Sequence, residues 1–216
     1  MNISEKIQKY KEELGQEITL VAISKTKPIS KLLEAYESGQ RIFGENKIQE
    51  MTEKWEALPK DIEWHMVGNV QRNKVKYMAP YVNLIHTVDS LKLLKEIDKE
   101  AKKNQRSISC LLQIKIAEED SKFGISAEEA KEILNSAELL KMKNVEVVGL
   151  MGMATFTEDM KQVKKEFQSL NSVYKEFRKE YPQLRTLSMG MSGDYKIAVE
   201  CGSNMVRIGS AIFGER

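Results

Sequence analysis

The sequence predicts an α/β protein of the (β/α)8 TIM-barrel class, a single barrel with an extra helix before its first strand. Three observations lead there. Short apolar runs alternate with amphipathic stretches along nearly the whole chain, and strict alternation implies parallel strands joined by crossover helices. Eight such runs can be read, enough to close a barrel. The first run leads into Lys25-Thr26-Lys27-Pro28, not into the glycine-rich phosphate loop expected of an open doubly wound sheet. The 216 residues fit one such barrel, which typically takes ~250 residues with a lower end of about 200.

Each element has its own signal. Ile3, Ile7, Tyr10 and Leu14 recur at steps of four and three with charges between them, the spacing of an amphipathic helix. Residues 18–24 form a short apolar, branched run that reads as the first strand. Residues 29–38 are helical and end at Gly39, and residues 41–43 make a very short second strand. Helix 46–58, strand 63–67, short helix 70–78 and strand 82–86 follow. Ser90 is a good N-cap for a helix through Lys103. Residues 108–116 are the fifth strand, and Ser126 with Glu129 three positions on forms a capping box for the next helix. Strand 145–151, the long amphipathic helix 159–179, strand 186–189, helix 194–201 and strand 204–208 complete the series.

Composition narrows the function classes. Lys and Arg number 34 against 32 Asp and Glu, a formal net charge of +2. Nucleic-acid binders of this size carry a clear basic excess, so no nucleic-acid partner is expected. Cys110 and Cys201 do not form a disulfide framework, which points to an intracellular protein. No apolar run approaches the ~18 residues of a membrane span, and the N-terminus lacks the apolar core and cleavage site of a signal peptide. No linker or low-complexity stretch interrupts the chain, so residues 1–216 read as one domain.

Barrels of this class place their chemistry at the C-terminal ends of the strands. After the seventh strand comes Gly190-Met191-Ser192-Gly193, and after the eighth Gly209-Ser210. These are the two loops that commonly bind phosphate in such barrels, and exposed backbone N–H groups with small hydroxyls suit that task. Ordinary glycine turns are the plainer alternative. Lys25 ends the first strand and shares one face with Thr19, Val21 and Ile23. On an inward face its amine enters the barrel mouth, where it could form a Schiff base with a carbonyl; otherwise it is one more surface lysine. Lys27 shares the parity but precedes proline, which places it in the departing loop. Arg207 sits inside the apolar run Met205-Val206-Arg207-Ile208, and a buried charge needs a partner. Two partners remain open: a pyridine nitrogen, which PLP sites meet with Asp or Arg, or a carboxylate such as Glu45.

Other residues carry less. His65 and His86 lie on apolar strands and read as packed, hydrogen-bonded histidines. No cluster has metal-ligand spacing. The run Glu118-Glu119-Asp120 reads as a solvated loop. Neither cysteine shows an activating partner, and the methionines of 150–153 and 188–192 read as packing. No side chain is singled out as catalytic.

Longer motifs point to a family. Leu20-Val-Ala-Ile-Ser-Lys-Thr-Lys-Pro28, Phe43-Gly-Glu-Asn46, Trp64-His-Met-Val-Gly68 with Gln71, Asn73 and Lys74, Ser121-Lys-Phe-Gly124, Leu187-Ser-Met-Gly-Met-Ser-Gly-Asp194, and Gly202-Ser-Asn-Met-Val-Arg-Ile-Gly-Ser-Ala-Ile-Phe-Gly214 together resemble the PLP homeostasis proteins, single-domain relatives of the alanine racemase barrel. The resemblance runs nearly end to end. It implies a cytoplasmic protein that binds pyridoxal 5′-phosphate, with Lys25 forming the internal aldimine, Ser192, Gly209 and Ser210 holding the phosphate, Arg207 at the pyridine nitrogen and Asn46 near the ring. Asn204 and Ser210 stand where threonine is frequent in the family, Asn69 and Val70 replace a usual proline and leucine, and Lys115 stands where asparagine is common. Ser210 keeps its hydroxyl, so these departures touch loop details and leave the expected cofactor unchanged.

The family is thought to buffer or deliver PLP, affecting amino-acid and keto-acid balance, with apo PLP-dependent enzymes as recipients and a monomer as the expected state. The alternative is a PLP-dependent amino-acid racemase or another low-activity PLP enzyme. Racemisation needs a proton donor opposite the lysine, supplied in the racemase relatives by a tyrosine from a second domain, for which this chain has no room. A third reading, a Schiff-base aldolase acting on a phosphorylated sugar, shares the lysine and phosphate logic but gives Arg207 no task.

Overall fold

The computed structural model describes residues 1–118 and 123–215. Glu119 and Asp120 of the solvated-loop reading, and Ser121 and Lys122 of the motif ending at Gly124, lie outside the described residues. Helix α1 (Ile3–Leu14) precedes β1 (Thr19–Ile23), α2 (Ile29–Glu37), β2 (Ile42–Glu45), α3 (Ile48–Ala57) and β3 (Glu63–Met66). Then come α4 (Val75–Met78), β4 (Val82–Val88), α5 (Leu91–Lys103), β5 (Ile108–Gln113), α6 (Ala127–Leu134) and β6 (Val145–Met151). Helix α7 (Met160–Glu180), β7 (Thr186–Met191), α8 (Tyr195–Glu200), β8 (Met205–Ile208) and α9 (Ser210–Phe213) complete the chain. The strands form a closed parallel barrel in sequence order, with β8 pairing back onto β1. This is the (β/α)8 class the alternation predicts, with α1 as the extra helix.

Local chemistry explains the boundaries. Asn2 caps α1 through a reciprocal capping box with Glu5, and Ser126 with Glu129 does the same for α6. Ser90 accepts from Leu93 N–H at the start of α5, and Asp159 caps α7. Among the described residues no helix is long and apolar enough to cross a membrane.

Two apolar layers hold the barrel. Leu20, Ala22, Phe43, Trp64, Met66, Ile85, Leu187, Met189, Val206 and Ile208 face the helices, whereas Val21, Leu84, Leu111, Val148, Met151 and Met205 fill the interior. Burial on both faces is why the strands read as continuous apolar runs and not as alternating ones. The period of two then sends His65, His86, Ser188 and Arg207 inward, because their neighbours along each strand belong to the outer layer. All four are buried.

Three elements differ from the sequence reading. The expected helix 70–78 is a 3-10 turn, Arg72–Lys74, followed by the single turn of α4. Strand β5 stops at Gln113, and Ile114 instead bridges to Ile125. Strand β2 is displaced towards Glu45. Helix α9 was not expected: its four residues are too few to show a helical period.

Candidate functional site

The C-terminal ends of β1, β2, β7 and β8 bring every sequence-predicted site residue to one rim of the barrel. Lys25 lies two residues beyond β1, Asn46 directly after β2, Ser192 directly after β7, and Gly209 and Ser210 directly after β8, while Arg207 is within β8. The register Ile23↔Gly44 sets Lys25 and Asn46 at matching heights on adjacent strands.

Lys25 occupies a tight turn. Lys27 N–H donates to the Ser24 carbonyl at 3.1 Å, and Thr26 between them has φ 62°. A left-handed conformation is unfavourable for a β-branched residue, so something must hold it. Glu50 Oε1 accepts the Thr26 N–H. The same Glu50 oxygen accepts a hydrogen bond from Lys54 Nζ at 2.7 Å, and Lys54 Nζ also donates to Glu45 Oε1 at 2.7 Å and to the Ser24 carbonyl at 2.8 Å. Ser24 Oγ donates to Glu45 Oε1 at 2.6 Å. Residues on both sides of Lys25 are thereby tied to one buried lysine on α3. Lys54 is 5% exposed and Glu45 is fully buried. Burial pushes the Glu45 carboxyl above the usual carboxylate range, opposed by the Lys54 charge. Its second oxygen, Oε2, has no partner among the described residues.

The competing amine is committed elsewhere. Lys27 Nζ donates to the Glu215 carbonyl at 2.8 Å. Lys31 and Lys6 reach the carbonyls of Phe213 and Ile212 at 3.2 and 3.3 Å. Two ammonium groups therefore satisfy carbonyls in the last turn of α9, where cations are favoured, and Lys27 takes one just beyond it. At the opposite end of α9 the small hydroxyls converge: Ser192 Oγ lies 3.3 Å from Gly209 N and 3.4 Å from Ser210 Oγ. A side chain at Gly209 would bring its Cβ to 3.2 Å from both the Cβ and the carbonyl oxygen of Ile23, so glycine lets this turn lie directly against the end of β1.

Arg207 does not pair with Glu45, which belongs to Lys54. Its Nη1 donates to Ser188 Oγ at 2.6 Å and its Nη2 to the Gly152 carbonyl at 3.1 Å. Burial lowers its pKa to about 10, with the charge of Asp194 opposing the fall; it stays cationic at neutral pH. Ser188 Oγ is 3.1 Å from His86 Nδ1, and His86 Nε2 is 3.1 Å from His65 Nδ1. Burial lowers His65 to about 3 and His86 well below its ordinary value, the latter helped by the neighbouring His65 and Arg207. Both rings are neutral at pH 7. The histidines are hydrogen-bonded core residues, as expected from their apolar strands, but their connection through Ser188 to Arg207 was not legible. It joins strands far apart in sequence, and only the inward parity of all four residues hints at it.

Asn46 is approached closely by Gly68, two residues beyond the end of β3. A Cβ at Gly68 would lie 2.1 Å from the Asn46 carbonyl oxygen, a backbone atom that cannot swing aside. Gly68→Ala is expected to push the β2 and β3 exits apart and to destabilise the fold by about 1–3 kcal/mol, the usual cost of overpacking. Urea unfolding checks this; an unchanged midpoint counts against the close approach. Among the described residues no His, Cys, Asp and Glu group could hold a metal ion.

Comparison with known proteins bears on the fold and the family. The family described as alanine racemase, N-terminal domain, matches residues 1–216. A pyridoxal phosphate homeostasis protein from Aquifex aeolicus is 39% identical over 219 aligned residues, covering 99% of this chain and 95% of that protein. One from Vibrio alginolyticus is 37% identical, covering 93% of this chain and 88% of its own. The structure of PipY from Synechococcus elongatus, solved with PLP bound, superposes with a TM-score of 0.89 at 32% identity, covering 99% of this chain and 100% of that one. With that family matching the whole chain and relatives 37% and 39% identical over nearly all of it, the chain belongs to the pyridoxal phosphate homeostasis protein family.

Proposed function

We propose that the chain binds PLP reversibly at this rim and acts in PLP homeostasis, as a cytoplasmic monomer in which residues 1–216 form one PLP-binding barrel that buffers the cofactor and passes it to apo PLP-dependent enzymes. The observation that carries this reading is the meeting of an amine, a guanidinium and a hydroxyl-lined turn at the ends of strands β1, β7 and β8. The names of the relatives and the PLP held by PipY support it.

The residues fit the group. PLP, when bound, offers an aldehyde, a pyridine nitrogen and a phosphate. Lys25 Nζ serves as the amine that bonds to the aldehyde carbon, with one water released. Ser192 and Ser210 hydroxyls and the Gly209 backbone, already within 3.4 Å of one another, face the phosphate. Arg207 donates to the ring nitrogen, and Asn46 borders the ring. The direction of the Arg207 contact also favours a carrier over a racemase. An arginine can only donate, so it keeps the ring nitrogen unprotonated and weakens the electron sink that racemisation relies on.

The test is a transfer assay. Loaded protein is mixed with an apo PLP enzyme, with and without a scavenger of free PLP. Recovery of the acceptor's activity despite the scavenger is the expected result. Turnover of L-alanine or another amino acid by the protein itself, at an ordinary enzymatic rate of about 1 per second or more, overturns the carrier reading in favour of the racemase.

A further inference from the structure

The interior of the barrel carries a polar chain that cofactor binding at the rim does not by itself require. Arg207 Nη1, Ser188 Oγ, His86 Nδ1 and Nε2, and His65 Nδ1 are linked at 2.6, 3.1 and 3.1 Å, and Arg207, Ser188, His86 and His65 are each at most 4% exposed. We propose that Ser188, His86 and His65 are positioning residues for Arg207, forming a one-way hydrogen-bond chain across the barrel that fixes the guanidinium against the ring nitrogen of bound PLP.

The direction of the chain follows from donor and acceptor inventories. Guanidinium has no acceptor, so Ser188 Oγ accepts from Arg207. Of the two groups that reach Ser188 Oγ among the described residues, only His86 Nδ1 can take its proton. In the proposed chain His86 Nδ1 carries no hydrogen and the neutral ring bears its proton on Nε2; the opposite tautomer, with Nδ1–H donating to the second lone pair of Ser188 Oγ, would leave the buried Ser188 proton without an acceptor among the described residues. That proton is donated to His65 Nδ1, which leaves the His65 proton on its own Nε2. Every bond in the series then runs from Arg207 towards His65. Bonds aligned in one direction polarise each other in a low-dielectric interior, and leaving any of these buried groups unpaired is costly.

Geometry makes Arg207 the end of the chain that matters. It faces the interior from β8, in register with Val21 on β1, four residues before Lys25. The guanidinium is flexible in isolation. Here its Nη1 is held by Ser188 and its Nη2 by the Gly152 carbonyl, so two fixed acceptors on β7 and at the end of β6 set the plane of the group. Without Ser188 one of these supports is lost and His86 Nδ1 loses its donor as well.

The inference rests on the proposed contact of Arg207 with the PLP ring, and its test separates the two. The chain contains only two histidines, so imidazole nitrogen NMR of the ligand-free protein assigns both tautomers directly. Both rings are expected neutral and protonated on Nε2; a proton on Nδ1 of His86 overturns the one-way chain without reference to any ligand. Dissociation constants are then measured for PLP and for an analogue in which CH replaces the ring nitrogen. Ser188→Ala is expected to weaken PLP by about tenfold, the loss of one charge-assisted hydrogen bond, and to leave the analogue unchanged. Ser188→Thr, which keeps the hydroxyl, is expected to restore PLP binding. Equal weakening of both ligands overturns the positioning role, because a merely structural defect does not read the ring nitrogen. Unchanged PLP affinity in Ser188→Ala overturns it too. If the wild type itself binds the analogue as tightly as PLP, the contact of Arg207 with the ring has failed instead.

Discussion

Lys25→Ala is expected to abolish the borohydride-reducible PLP adduct while leaving the fold intact. In the wild type, reduction followed by peptide mapping should place one PLP-derived mass on Lys25. In the variant that mass should fall to background, because among the described residues the other lysines near the end of β1 are engaged elsewhere. Lys27 Nζ is bonded to the Glu215 carbonyl at 2.8 Å. Lys54 Nζ is buried between two carboxylates at 2.7 Å. The Lys25 side chain makes no contribution to the Ser24–Lys54–Glu45 cluster, and half-exposed positions of this kind usually change stability by no more than about 0.5 kcal/mol. Reversible, non-covalent PLP binding should survive in weakened form, since the Ser192, Gly209, Ser210 and Arg207 contacts do not need the amine. The same adduct appearing on Lys27 would falsify the assignment.

How much of this site could be read from sequence depends on the range of each signal. Lys25 was legible because the period of two along residues 19–25 and the proline at 28 are local facts. Ser192, Gly209 and Ser210 were legible as a pair of loops because the strand count put them after the last two strands. The barrel itself followed from alternation, and the caps at Ser90 and Ser126 from side chains adjacent to their helices. What stayed hidden depends on contacts between distant segments. Glu45 reads as a free carboxylate in a short motif until α3 folds Lys54 over it. The choice between a ring nitrogen and Glu45 as partner of Arg207 could not be made while the face occupied by Glu45 was unknown. The outer-layer burial of Phe43 puts Glu45 on the helix side of β2, away from the interior where Arg207 lies. Helix α9 was missed for a different reason: one turn has no periodicity, and the lysines that meet the carbonyls of Ile212 and Phe213, Lys6 and Lys31, come from distant helices.

The second large effect is expected at Lys54. Lys54→Met keeps the length and apolar bulk of the side chain but strands Glu45, a fully buried carboxylate whose Oε2 already lacks a partner among the described residues. Removing one member of a buried ion pair costs about 3–5 kcal/mol, because the remaining charge is left uncompensated. Urea unfolding near neutral pH should show a loss of that size. The pH dependence separates charge from packing. Burial raises the folded-state pKa of Glu45 above its unfolded value, and Lys54 opposes that rise; without Lys54 the folded pKa climbs further. A carboxyl with a raised folded pKa binds more protons folded than unfolded, so stability falls as pH rises through that window. The deficit of Lys54→Met should accordingly be largest near neutrality and shrink as the solution is acidified towards the unfolded pKa of Glu45, where the carboxyl is neutral in the folded state. Glu45→Gln in the Lys54→Met background removes the stranded charge and should recover part of the loss at neutral pH, a coupling that independent sites would not show. A deficit that is flat with pH, or a double variant no better than Lys54→Met, would mean that the loss does not come from a stranded Glu45 charge but from the Lys54 hydrogen bonds to the Ser24 carbonyl and Glu50.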